Sequence, residues 1–74
     1  MRDTVPTFPE RLRRLRRARD ITQEQLAEAI GSSHSAISNL EHGRRSPTLR
    51  VALALAKALG VSVSELTEEN GGKS

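Results

Sequence analysis

The chain has 74 residues, enough for one domain near the lower limit of what folds without a covalent or metal staple. It has no cysteine, which excludes a disulfide framework and cysteine-rich zinc sites and is compatible with a reducing compartment. The net charge of +3 is unevenly placed: eleven Lys/Arg stand against six Asp/Glu over residues 1–59, and one Lys against three Glu over 60–74.

Residues 1–6 read as a loose arm ended by Pro6, ahead of a domain over 7–67. Thr7 and Glu10 have the spacing of a capping box, and Pro9 falls in the first turn, where its missing N–H is harmless. A first helix then runs to about Arg19 with Phe8, Leu12 and Leu15 on one face. Six of the nine positions from Arg11 to Arg19 are arginine and none is acidic. Such a run is either a solvated face or a surface for a polyanion. The second use suits arginine better than lysine, because the planar guanidinium donates in pairs to phosphate.

A second capping box, Thr22 with Gln25, opens a helix from Gln23 to Ile30 whose inner side is Leu26, Ala27 and Ile30; Gly31 ends it. Ser33 caps a third helix over His34–Glu41, with Ile37 and Leu40 inward and Gly43 at its end. Thr48 caps a fourth, which reaches Leu59 before Gly60 and has Leu49, Ala52, Leu53, Ala56 and Leu59 as its expected core stripe. Ser62 and Glu65 form a third box for a short fifth helix holding Val63 and Leu66. The polar, glycine-rich 68–74 reads as a disordered tail. No strand pattern competes, connections are short, and the expected fold is a compact all-α domain of five helices. The longest apolar run, Val51 to Ala56, is too short to span a bilayer, and MRDTVPTFPE lacks the apolar stretch of a leader. A soluble, cytoplasmic protein is expected.

The second and third helices meet through about three residues that include a glycine, the connection of a helix-turn-helix. Ala27 is small where the two would cross. With Ile37 and Leu40 inward, the third helix turns His34, Ser35, Ser38 and Asn39 outward. Serine and asparagine are poorer helix formers than the Glu, Lys and Ala of an ordinary surface helix, and their short hydrogen-bonding groups suit base edges in a major groove. No catalytic or metal constellation competes. His34 and His42 lack partners at ligand spacing, no serine has a nucleophile-elbow context, and there is no phosphate loop. Neither an enzyme, a cofactor nor a small-molecule ligand is expected.

Residues 10–66 resemble the Cro- and lambda-repressor-like (XRE-type) helix-turn-helix proteins, through LRRLRRARDITQEQLAEAIG, AISNLEHGRRSP and LAKALGVSVSEL in order and at the family's spacing. The resemblance implies that Gln23 bonds a phosphate and braces the reading helix, and that His34, Ser35 and Asn39, with Ser38 nearby, read bases. It implies that His42, Arg44 and Arg45 grip the backbone; Ser33, Arg13 and Arg17 are counted with them as phosphate contacts. Arg16 and Glu41 match a pair that forms an internal salt bridge, the alternative for Arg16 being a free phosphate ligand. Ser32 departs from a position usually apolar in the family, which predicts a less tightly packed turn. His34 stands where glutamine is frequent, so base preference does not carry over.

One such unit reads few base pairs, so a homodimer on a palindromic site of double-stranded DNA is expected. Val51, Leu55, Val61 and Val63 are the candidate interface, although Leu55 could instead complete the small core. The implied role is a sequence-specific transcriptional regulator, in the first instance a repressor. A restriction–modification controller protein and an antitoxin-type protein-binding module are the alternatives.

Overall fold

Five α-helices follow one another in residues 7–67, the part of the chain that the computed structural model describes: α1 (Phe8–Ala18), α2 (Gln23–Ala29), α3 (His34–Glu41), α4 (Leu49–Leu59) and α5 (Val63–Thr67). The expected arm and tail lie outside the described residues. No strand occurs among the described residues, and none of these helices is long and apolar enough to cross a membrane.

Each start is set locally. Thr22 Oγ1 accepts from the Gln25 N–H at 3.0 Å while Gln25 Oε1 accepts from the Thr22 N–H at 2.9 Å, so two backbone donors without helical partners are satisfied reciprocally. Ser33 and Thr48 cap α3 and α4 with 3.1 Å bonds from the Ala36 and Val51 N–H groups. Glu10 and Glu65 reach back to the N–H groups of Thr7 and Ser62.

The ends of α1 to α4 share one device. After α3, Gly43 turns to φ +73°, the Gly43 N–H bonds the Leu40 carbonyl and the Arg44 N–H bonds the Asn39 carbonyl at 2.9 Å, which is a Schellman motif. The same pattern closes α2 at Gly31 and α4 at Gly60. It also closes α1, where Asp20 takes φ +56° without being glycine, and the Ile21 N–H bonds the Arg16 carbonyl. Aspartate tolerates this left-handed conformation better than a branched residue but not at glycine's level.

The core gathers Phe8 and Leu12 from α1, Leu26 and Ala27 from α2, Ile37 and Leu40 from α3, Leu55, Ala56 and Leu59 from α4, and Leu66 from α5. Leu15 and Ile30 are half-buried at its edge. One expectation fails here. On α4 the inward face is Ala52, Leu55, Ala56 and Leu59, while Leu49 and Leu53 are 72% and 50% exposed. Only Arg50 and Lys57 interrupt the apolar sequence of this helix, so neighbouring faces were nearly equivalent by pattern, and packing against α2 and α5 selects the one with Leu55. Leu55 is fully buried and has no surface to offer a second protomer, which removes it from the candidate interface.

Leu55→Ala is expected to cost about 2–5 kcal/mol by the cavity it leaves, whereas Leu53→Ala should change stability by less than about 1 kcal/mol; urea unfolding of both variants measures the difference. Asp20→Gly should stabilise by roughly 0.5–1 kcal/mol, because glycine adopts the left-handed end of α1 without strain.

Candidate nucleic-acid interface

The position of α3 is set at its C-terminal end by a buried carboxylate. Glu41 is 2% exposed. Its Oε2 accepts from Arg16 Nε at 2.5 Å, and its Oε1 accepts from Arg16 Nη2 at 3.2 Å and from Gln23 Nε2 at 3.0 Å. Arg16 also donates from Nη1 to the Ile21 carbonyl at 2.7 Å, and Arg13 donates from Nη1 to the Glu41 carbonyl at 3.3 Å. One carboxylate therefore joins α1, the start of α2 and the end of α3. Burial pushes the Glu41 carboxyl up, but the hydrogen bonds from Arg16 and Gln23 and the charges of Arg16 and Arg13 outweigh it and hold the group below its ordinary value of 4.5.

The alternative of Arg16 as a free phosphate ligand is thereby set aside. Arg13, counted among the phosphate contacts, uses one donor internally at the partly negative end of α3. Gln23 likewise has its amide N–H engaged with Glu41, which makes it a brace first. Arg17 is exposed at the end of α1.

Ile37, Leu40 and Glu41 hold the inner side of α3, and the other side carries the expected reading residues. His34 and Ser35 in the first turn are exposed. Ser38 and Asn39, one turn later, are half-buried because the following loop folds back onto them. The His42 ring places Nδ1 2.8 Å from the Ser38 carbonyl and 3.3 Å from its hydroxyl. A carbonyl only accepts, so Nδ1 carries the hydrogen in this contact. Arg44 donates from Nη1 to Asn39 Oδ1 at 3.4 Å. Neither coupling was foreseen. Gly43 was the available signal, since a Schellman end places the residue after the glycine beside the residue five positions earlier.

Ser33 accepts the Ala36 N–H and keeps its own hydroxyl hydrogen to donate. Arg45 is exposed at the rim of a groove of about 280 Å³ whose walls include Ile30, Ala36, Leu40, Pro47 and Val51. Ser32 lines this groove and is exposed, so the turn carries open volume beside it. Among the described residues no group of His, Cys, Asp or Glu is arranged to hold a metal.

A family model described as helix-turn-helix matches residues 12–66. The immunity repressor protein of Bacillus phage phi105 is 38% identical over 63 residues, covering 85% of this chain; the chain spans 44% of that repressor's length. Among solved structures, the P22 c2 repressor in complex with synthetic operator 9T superposes with a TM-score of 0.80 at 34% identity, over 86% of this chain and 97% of that one. The restriction–modification controller protein C.AhdI from Aeromonas hydrophila superposes with a TM-score of 0.78 at 41% identity, over 80% of this chain and 89% of that one.

The Glu41 network predicts an acid limit. A carboxyl held below 4.5 in the folded state is protonated more readily in the unfolded state. The stability it contributes is complete above that value and is lost as pH falls from about 4.5 through the lower folded value. Denaturant titrations across this range should show Glu41→Gln losing less stability on acidification than the wild type. At neutral pH, removing either partner alone should cost about 3–5 kcal/mol, and the Arg16→Met, Glu41→Leu double substitution should cost less than the two single costs combined.

Proposed function

The chain belongs to the helix-turn-helix family of lambda- and P22-repressor-like domains, and from that premise we propose that it is a transcriptional regulator that binds double-stranded DNA sequence-specifically as a homodimer. The division of α3 carries this reading: one side is anchored by Ile37, Leu40 and Glu41, and the other turns His34, Ser35, Ser38 and Asn39 outward, where they suit base edges in a major groove. Arg17, Ser33, His42, Arg44 and Arg45, with the remaining donors of Gln23 and Arg13, supply phosphate contacts on either side of that face. The P22 c2 repressor, whose fold this chain shares, is seen bound to an operator, which supports the same docking here.

A single α3 reads too few base pairs to find a unique site, and two copies on an inverted repeat about one helical turn apart remove that limit. Val61 and Val63 at the corner between α4 and α5, with Val51, leave half-buried apolar surface for the contact between copies. Leu49 and Leu53 expose a second apolar flank on α4. Val63→Glu should weaken self-association in sedimentation experiments; if Leu53→Glu does so instead, the contact runs along the outer flank of α4.

A second reading, a controller of a restriction–modification system, is supported by the likeness to C.AhdI, at 41% identity over 80% of this chain. The two readings share the chemistry and differ in the genes controlled, so the recovered operator would decide by whether it lies before a nuclease gene.

The test is selection of a randomised duplex library on the purified protein at low and near-physiological salt. An inverted repeat should be enriched, and Ser35→Ala should relax the preference at particular pairs. Arg45→Ala should weaken binding to all sequences alike and lower the salt slope by about one unit. Salt-sensitive binding with no enriched sequence would overturn the proposal.

A further inference from the structure

Asn39 is held differently from the outward residues of the first turn of α3. His34 and Ser35 are exposed, whereas the Asn39 side chain is met by the loop that follows. The cause is backbone geometry: Gly43 at φ +73° reverses the chain, and the Arg44 N–H bonds the Asn39 carbonyl at 2.9 Å. This sets the Arg44 side chain over the Asn39 side chain, where Nη1 lies 3.4 Å from Oδ1. A guanidinium has only donors, so the amide atom facing it is the oxygen, and the amide N–H₂ points away.

We propose that Arg44 is a specificity-determining residue that locks the Asn39 amide as a donor, so that the Asn39–Arg44 unit reads guanine rather than adenine. This deepens the proposed function and rests on it. A free asparagine recognises adenine with both ends of its amide, accepting from N6–H through oxygen and donating to N7 through nitrogen. With Arg44 at Oδ1, the adenine amino group would approach an oxygen already shared with a cationic donor, and would face further N–H donors beside it. Guanine presents two acceptors on that edge, O6 and N7. The Asn39 amide nitrogen and the Arg44 guanidinium between them offer only donors there, which is the complementary pattern.

The experiment compares duplex selection on the wild type, Asn39→Ala and Arg44→Met. Arg44 is exposed, so methionine removes its donors and charge without opening the core. The pair read by Asn39 is the one whose preference disappears in Asn39→Ala. The wild type should select guanine at that pair, and Arg44→Met should move the preference to adenine by roughly five- to a hundredfold, leaving other positions of the half-site unchanged. The inference is overturned if the wild type selects adenine there, or if Asn39→Ala alters no pair. It is also overturned if Arg44→Met weakens all sequences alike with the base unchanged, since Arg44 would then contact phosphate alone. These failures leave the DNA-binding regulator standing. Absence of any enriched sequence with the wild type would remove both.

Discussion

A single buried carboxylate determines where the outward face of this molecule points. The core is aliphatic and alanine-rich, with Phe8 as its one aromatic side chain. Apolar contacts of that kind are non-directional, and they hold helices together more firmly than they fix their angles. Glu41 is different, because an ionised carboxylate out of water is tolerable only while its hydrogen bonds are made. Rotating α3 against α1 would pull Glu41 from Arg16, and shifting α2 would pull it from Gln23. The penalty for leaving a charge unpaired therefore defines the angle at which α3 is held, and the outward residues inherit that angle.

The arginine-rich first helix takes a double meaning from this arrangement. Arg16 and Arg13 turn toward the end of α3, and Arg11 donates to the Glu65 carbonyl of α5 at 2.9 Å. Arg14, Arg17 and Arg19 are exposed. Part of the basic run is thus cement between helices, while the exposed part contributes positive potential to the surface. The net charge alone cannot separate these uses, since both draw on the same guanidinium chemistry.

Much of the fold was legible because its punctuation is local. Threonine or serine followed three residues later by glutamate or glutamine announces the starts of α1, α2 and α5; a lone Ser33 or Thr48 announces those of α3 and α4, and Gly43 and Gly60 announce their ends. The Arg16–Glu41 pair was legible only through likeness to a family, for nothing in the spacing of 16 and 41 says that they meet. What escaped was tertiary. The rotation of α4 was lost because Leu49, Leu53 and Leu55 sit on a helix that is apolar on almost every side, and only its neighbours choose among them. The end of α1 near Arg19 was legible, but the left-handed turn at Asp20 was not, because its side chain does not announce that backbone as glycine does. The approach of Arg44 to Asn39 depends on how the loop closes after Gly43, and the glycine marks the turn without saying which side chain the turn brings over.

The interleaving of roles along α3 bears on how such a domain diverges. Positions 37, 40 and 41 belong to the fold, while 34 and 35 project without a partner that a new side chain would have to satisfy. Substitutions at 34 and 35 are structurally independent, and a lineage can explore them one at a time without crossing a destabilised intermediate. Position 39 is coupled to 44 through a side-chain bond and to the Gly43 turn through the backbone. Drift at 39 therefore entails compensation at 44, so these two sites should covary among descendants of this chain while 34 and 35 vary singly.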